Sequence, residues 1–158
     1  MFKKIEFTVH PPSKPELIWD GECGFCKFWK TRWELKTGDR VNYRTFQERA
    51  EYYPDIPLKE FKKASRLIET DGSVYSGPDS AYRTLQYSGN SFWHNLYKKQ
   101  SWFTWLSDHG YNHIAKNRAT YFKVTKRLFG ENPEKLSYDW LFYMISIFIL
   151  ITMLSLSL

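Results

Sequence analysis

Two cysteines three positions apart, Cys23 and Cys26, constrain this chain more than any other feature, because no other cysteine occurs in its 158 residues. They follow the apolar stretch Leu17–Trp19 and the turn Asp20–Glu22, and they open a segment with helical periodicity. A C-x-x-C at a strand-to-helix turn is typical of a thiol-disulfide redox site, although zinc sites use the same spacing. Two cysteines cannot form the disulfide framework of a small secreted domain.

The segments around the cysteines predict the fold class. From Gly24 to about Lys36, large apolar side chains recur at intervals of three and four, which predicts a helix with one buried face. Glu16–Trp19 predicts a short strand before this helix, and the alternating stretch Val41–Phe46 predicts a second strand after it. A strand, a helix and a strand of these lengths predict two parallel strands joined by a right-handed crossover. The sequence therefore predicts an α/β fold.

Weaker patterns extend this fold on both sides. Lys3–Val9 predicts an edge strand or an extended arm, and the prolines that follow predict a loop. Ser65–Thr70 and Ser73–Tyr75 flank an Asp-Gly pair and predict a hairpin with a tight turn. Pro78 begins a predicted helix, and the prolines within Gln47–Lys63 divide that segment into a helical turn, a loop and a short helix.

Two longer helical patterns follow. Phe92–Leu106 and Tyr111–Phe129 each carry apolar residues at helical spacing, and we expect two helices joined at Asp108–Gly110. These apolar faces either pack on the domain or, in a second interpretation, lie on lipid. The second interpretation depends on three tryptophans with interleaved lysines: Trp93, Trp102 and Trp105.

The C-terminal segment is apolar on all sides. Trp140–Leu158 contains no charged residue, and at ~1.5 Å per residue a helix of this length barely crosses a hydrocarbon core of ~30 Å. Tyr138, Trp140 and Tyr143 stand where interfacial aromatic residues belong. We therefore expect a transmembrane or membrane-anchoring helix over 138–158, while a buried core helix is the alternative.

The charge distribution agrees with a membrane more than with nucleic acid. The formal net charge is +6, and basic residues crowd the segment just before the apolar tail. This bias predicts a single-pass C-terminal anchor with the folded domain on the cytoplasmic side, and a lipid bilayer rather than nucleic acid as a partner. The expected organisation is an N-terminal arm (1–15), a redox core (16–90), an amphipathic helical extension (91–130) and the membrane helix (138–158).

The cysteine positions predict their roles in thiol-disulfide exchange. Cys23, at the start of the helix, is the expected attacking thiolate, because unpaired amides, the helix dipole and the nearby cation Lys27 favour its charged form. Cys26, inside the first turn, is the expected resolving thiol. Gly24 permits the close approach of a substrate chain, and Phe25 offers that chain an apolar surface.

The remaining candidate residues leave alternatives open. Asp20 either accepts the proton of the resolving thiol or is a turn residue that binds its own backbone. His109 and His113 have the spacing of zinc ligands and could complete a four-ligand set with the two cysteines, but most of the domain separates the two pairs. Solvated helix histidines are the alternative, and we expect neither a metal nor a cofactor.

The stretch Leu17–Cys26 resembles the opening motif of the DCC family of thiol-disulfide oxidoreductases, which is named for its Asp and two Cys. Two later stretches support this resemblance: Ser76–Ala81, where the family has a Gly and an Ala at the start of a helix, and Tyr111–Arg118. The resemblance covers roughly residues 16 to 118.

The resemblance implies a thioredoxin-like fold, with a central sheet flanked by helices, and it implies that Asp20, Cys23 and Cys26 are the functional residues. The chain departs from thioredoxins in general at Lys63–Ser65, where those proteins place a cis-proline before the third strand.

Two functions are consistent with these observations. The leading hypothesis is a membrane-tethered thiol-disulfide oxidoreductase that acts on a protein or small-molecule disulfide or thiol. The alternative is a non-enzymatic membrane-anchored interaction module in which the C-x-x-C is structural or binds zinc. Asn117 and Arg118 are either a structural pair or a second functional element.

Overall fold

The computed structural model of this chain describes residues 1–156, which form four β-strands and eight α-helices. In chain order these are β1 (Glu16–Trp19), α1 (Gly24–Thr37), β2 (Asn42–Thr45), α2 (Phe46–Arg49), α3 (Leu58–Lys63), β3 (Arg66–Ile68), β4 (Val74–Ser76), α4 (Pro78–Gln86), α5 (Phe92–Lys99), α6 (Ser101–Lys116), α7 (Arg118–Phe129) and α8 (Asp139–Leu156).

The strands form one mixed sheet in the order β2-β1-β3-β4 within residues 1–156. β1 pairs with β2 in parallel, with Glu16 opposite Asn42, and pairs with β3 in the antiparallel direction, with Leu17 opposite Leu67. β4 adds to β3 antiparallel. The predicted parallel pair joined through α1 is confirmed, and helices flank the sheet as an α/β fold requires.

The two central strands place buried side chains on both faces of the sheet, because successive residues of a strand point in opposite directions. Leu17 and Leu67 belong to one buried cluster, and Ile18 and Ile68 belong to another. All four side chains are at most 1% exposed. Helices must therefore cover both faces.

The hairpin between β3 and β4 is confirmed, but its turn is longer than the predicted tight Asp-Gly turn. The Glu69 N–H donates to the Ser73 carbonyl at 2.9 Å, which leaves residues 70–72 as the loop. Gly72 has a φ of +89°, a conformation that favours glycine. The N-terminal residues run extended beside this hairpin, where Thr8 N–H donates to the Gly72 carbonyl at 2.9 Å.

The prediction of two helices after residue 91 is wrong. The segment forms three helices that separate at Gln100 and Asn117, and Asp108–Gly110 lies inside α6 instead of at a turn. Asp108 is buried, accepts a hydrogen bond from the Tyr97 hydroxyl at 2.7 Å, and pairs with Lys4 at 2.6 Å. Asp108, which suggested a loop in the sequence, therefore makes tertiary contacts that stabilise a continuous helix.

The predicted C-terminal helix is present as α8, which spans 18 residues and exposes those of its apolar side chains that the structure describes. No helix within residues 1–156 has both the length and the hydropathy that crossing a bilayer requires. The transmembrane prediction over 138–158 is therefore not supported. The last two predicted positions, 157 and 158, lie outside the described residues.

Candidate active site

The two cysteines occupy the turn from β1 to α1. Cys23 is the N-cap of α1, with extended backbone angles, and its sulfur accepts a hydrogen bond from the Cys26 backbone N–H at 3.2 Å. The Cys23 N–H donates to the Asp20 carbonyl at 3.2 Å and so closes the turn. Both cysteines are free thiols and half-buried. The chain therefore places the first sulfur at the helix N-terminus, as its sequence position predicted.

The surroundings of the two cysteines shift their pKa values in opposite directions. Hydrogen bonding from the Cys26 side chain, with further help from its backbone N–H and the charge of Arg118, lowers the pKa of Cys23 to about 6, against burial and the charge of Asp20. The hydrogen bond to Cys23 raises the pKa of Cys26, and burial raises it further. At neutral pH, Cys23 is mostly a thiolate and Cys26 remains a thiol.

An ion pair joins the turn to α7. Arg118 Nη1 lies 2.9 Å from Asp20 Oδ2, and both side chains are about one-fifth exposed. The other Asp20 oxygen accepts bonds from the Glu22 N–H at 3.2 Å and from Gln47 Nε2 at 3.1 Å. The bond to Glu22 is the backbone interaction expected of a turn residue, and the contact with Arg118 adds a second role: Asp20 holds a cation beside the thiols.

Arg118 is the functional residue that reasoning from the cysteines alone missed. Its charge lowers the pKa of both Cys23 and Cys26, whereas the sequence predicted that Lys27 would favour the thiolate of Cys23. Lys27 is solvent-exposed on α1. The sequence singled out Arg118 only as part of the Tyr111–Arg118 stretch, where it and Asn117 were either a structural pair or a second functional element.

Phe122 of α7 covers the turn at Gly24. A Cβ placed on Gly24 would lie 2.8 Å from the Phe122 ring, so only a glycine leaves room for this aromatic side chain. Gly24 itself is solvent-exposed, and its role in the approach of a substrate chain stays a prediction. Phe25 is half-buried and lines a cavity behind the thiols, and its predicted contact with a substrate chain stays a prediction.

Tyr111 and Ser65 complete the surroundings of Cys26. The Tyr111 hydroxyl accepts a hydrogen bond from the Ser65 N–H at 3.0 Å and lies 3.2 Å from the Ser65 hydroxyl. Burial raises the pKa of Tyr111, and the charge of Cys26 contributes in the same direction. Ser65 precedes β3, so a hydroxyl and a tyrosine occupy this side of the site.

The histidines lie apart from the cysteines. The His109 ring packs on Trp105 with centroids 4.3 Å apart, and the His113 ring meets Tyr121 edge-on at 5.8 Å. In the part of the chain that the structure describes, no group of three or more His, Cys, Asp or Glu side chains is placed to hold a metal ion.

Comparison with known proteins agrees with this geometry. A family model described as DCC1-like thiol-disulfide oxidoreductase matches residues 17–124, which include both cysteines, Asp20 and Arg118. Neither a curated protein nor a solved structure gives a match. The match covers more than half of the 158 residues, so the chain belongs to the DCC1-like thiol-disulfide oxidoreductase family.

Proposed function

We propose that this thiol-disulfide oxidoreductase uses Cys23 to attack a protein or small-molecule disulfide and Cys26 to resolve the mixed disulfide. The observation that carries the proposal is the position of Cys23 at the N-cap of α1, where its sulfur accepts a hydrogen bond from the Cys26 backbone N–H at 3.2 Å. The directions of the pKa shifts agree with it, since the pKa of Cys23 is lowered to about 6 and that of Cys26 is raised. A thiolate is the nucleophile in exchange reactions, so the first attack belongs to Cys23.

The exchange has two steps. The Cys23 thiolate attacks one sulfur of the substrate disulfide, which forms a mixed disulfide and releases one substrate thiolate. Cys26 then loses its proton and attacks the Cys23 sulfur, which releases the second substrate thiol and leaves a Cys23–Cys26 disulfide. A dithiol of the cell must then reduce this disulfide before the next turnover.

Formation of the mixed disulfide favours the deprotonation of Cys26 that the second step requires. The hydrogen bond to Cys23 is the main reason that the pKa of Cys26 is raised, and Cys23 loses its negative charge when the mixed disulfide forms. Arg118 still lowers the pKa of Cys26 at that stage. We assign the proton acceptor to Asp20, whose charge acts on both thiols.

Turnover of an insulin disulfide with a dithiol as reductant tests this assignment. We expect no activity from Cys23→Ser, and a trapped mixed disulfide from Cys26→Ser, because that variant attacks but cannot resolve. The chain has no third cysteine, so a trapped adduct identifies Cys23 without further mapping. Equal turnover by wild type and Cys23→Ser would contradict the proposal.

Asp20→Asn tests the proton acceptor separately. We expect alkylation of Cys23 to remain fast and release of the second substrate thiol to slow, because only the resolving step needs the carboxylate as a base. A variant with an unchanged rate of resolution would show that solvent accepts this proton.

We further propose that α8 attaches the redox domain to a membrane and that this domain lies on the cytoplasmic side. Two observations support the attachment: Phe142 and Phe148 of α8 are 71% and 69% exposed, and basic residues precede this helix. Vesicles that contain anionic lipid should bind the full chain. They should not bind the variant in which both phenylalanines are replaced by serine. Leu35→Ser, which removes an exposed leucine of α1, is the matched control.

A thiol reagent that does not cross membranes tests the side on which the domain lies. In intact cells Cys23 should stay unlabelled until the membrane is permeabilised, and labelling of intact cells would contradict the cytoplasmic assignment.

A further inference from the structure

An apolar cavity of about 710 Å³ lies directly behind the cysteines. Side chains of α1, α4, α6 and α7 form its walls, which are mainly aromatic and aliphatic and include Trp29, Phe103, Ile114 and Leu128. The volume lies within the range of ~300–1,000 Å³ that small-molecule sites in proteins occupy. Thiol exchange at the protein surface does not require such a space.

The two cysteines differ in their contact with this cavity. Cys26 lines it, whereas Cys23 is not among the described residues that do. The same wall contains the polar groups of Asp20, Arg118, Tyr111 and Ser65. A ligand seated here therefore meets the resolving sulfur, several N–H and O–H donors and the Asp20 carboxylate, which Arg118 pairs, at one end, and mainly apolar surface elsewhere.

The walls select against hydrophilic ligands. A charged peptide thiol or a polar dithiol would lose its hydration here, and the few polar groups of the wall would replace little of it. A planar ring that carries oxygen acceptors fits better, because its faces can pack on Trp29 and Phe103 while its oxygens accept hydrogen bonds from Tyr111 and Arg118.

The cavity also borders the apolar helix α8. Phe129 lines the cavity, and its ring lies 5.9 Å from that of Tyr138 and 6.5 Å from that of Trp140. Beyond Trp140, α8 exposes apolar side chains. Apolar surface therefore continues from the wall of the cavity to the exterior of the protein, as a lipid-soluble ligand requires.

We propose that this cavity binds a lipid-soluble quinone, which takes two electrons from the Cys23–Cys26 dithiol. The inference rests on the proposed redox function of the cysteine pair, and it names the small-molecule partner of that pair. A quinone combines the planar ring, the two oxygen acceptors and the two-electron capacity that the dithiol requires.

The atoms and electrons balance in two steps. Asp20 accepts the proton of the Cys26 thiol, as in the proposed exchange, and the Cys26 sulfur adds to a ring carbon of the quinone and forms an S–C bond. The Cys23 thiolate then attacks the Cys26 sulfur, so that the S–S bond forms, the S–C bond breaks and its electron pair stays on the ring. The ring leaves as hydroquinone with two protons, one from the Cys26 thiol and one from solvent, which had received the proton of Cys23.

Anaerobic titration of the reduced full chain with a short-chain, fully substituted benzoquinone tests the proposal. We expect one hydroquinone, followed by its ultraviolet absorbance, for every two thiols lost. Gly110 offers a variant that fills the cavity, because it lines the space, lies within α6, and a Cβ added to it would meet no other atom within 4 Å. Gly110→Leu should react at least about tenfold more slowly, since the added side chain takes volume that the ring needs, while leucine favours the helix more than glycine does.

His109→Leu is the matched control, because it changes a neighbouring residue of α6 that is exposed and is not among the residues lining the cavity. This control should be oxidised at the wild-type rate. Equal rates for Gly110→Leu and wild type, or a wild-type protein that reduces insulin but is not oxidised by the quinone, would overturn the inference. A wild-type protein that fails to reduce insulin would instead overturn the proposed function.

Discussion

Arg118 Nη1 lies 2.9 Å from Asp20 Oδ2, although 98 residues separate the two in sequence. This contact brings the first residue of α7 to the turn that carries both cysteines. Asp20 raises the pKa of both thiols and Arg118 lowers it, so these two charges oppose each other and adjust a reactivity that the hydrogen bonds from Cys26 mainly set.

The first prediction concerns this balance. Arg118→Gln should move the pH midpoint of Cys23 alkylation upward, because the variant removes the cation and leaves Asp20 unpaired. If the pKa rose from about 6 to the ~8.5 of a free cysteine, the thiolate fraction at pH 7 would fall about thirty-fold; we expect a smaller fall, because the hydrogen bonds from Cys26 remain in the variant. Asp20→Asn should move the midpoint downward.

Rates of iodoacetamide alkylation between pH 4 and pH 9 measure both midpoints. Lys27→Gln is the control, since this exposed lysine is the cation that the sequence suggested. A larger shift in Lys27→Gln than in Arg118→Gln would contradict the structural assignment.

A second prediction concerns the hydrogen bond between the two thiols. Cys26→Ala should raise the pKa of Cys23 more than Cys26→Ser does, because the Cys26 side chain is the main cause of the lowered value and serine keeps an O–H donor. The same alkylation midpoints measure the effect. Identical midpoints in the two variants would show that the helix terminus alone lowers the pKa.

The third prediction concerns the contact between Gly24 and Phe122. Gly24→Ala should destabilise the protein by about 1–3 kcal/mol, because the new Cβ would lie 2.8 Å from the ring. Phe122→Ala removes the obstacle, so in that background Gly24→Ala should be neutral or stabilising, as alanine favours a helix over glycine. Urea unfolding of the four proteins gives the coupling free energy, and additive effects would contradict the contact.

The fourth prediction concerns a buried ion pair between α3 and β3. Glu60 Oε2 lies 3.3 Å from Arg66 Nη2, and the Arg66 side chain is fully buried. Glu60→Ala should destabilise the protein by about 3–5 kcal/mol, because it leaves a buried guanidinium without its charged partner. Glu34→Ala, which breaks the exposed pair with Lys30, should change the free energy of unfolding by about 0.5 kcal/mol or less.

The same pair predicts a pH dependence of stability. Burial alone would raise the pKa of Glu60, but hydrogen bonds from Lys63 and the Lys3 N–H, with the charges of Lys63 and Arg66, lower it below its usual value. The unfolded chain then binds this proton more readily than the folded chain does. Stability from Glu60 should therefore be complete above the unfolded pKa of ~4.3 and decline as the pH falls below it, which urea unfolding between pH 3 and pH 6 can measure.

Reasoning from the sequence identified the elements that depend on near neighbours. β1 was predicted at its observed bounds, α1 was predicted to within one residue at its C-terminal end, and the parallel pairing with β2 followed from their lengths. Cys23 at a helix N-terminus is likewise a local consequence of the strand and turn before it.

The contacts that distant residues make with that turn could be seen only in the tertiary structure. The sequence pointed to Lys27 as the cation because it lies four positions from Cys23, but α7 packs against α1 and places Arg118 beside Asp20. The same packing sets Phe122 on Gly24. Composition could not show these contacts, since they depend on how two helices meet rather than on what either helix contains.

The structure of residues 91–130 illustrates the same division. The sequence predicted helices there from their apolar spacing but put a turn at Asp108–Gly110, because polar residues and glycine usually end helices. In the fold, Tyr97 and Lys4 satisfy the buried Asp108 carboxylate, and α6 continues through it. Local patterns thus determined the strand, the turn and the helix that hold the thiols, while long-range polar contacts and helix packing determined the charges, the covering ring and the cavity around them.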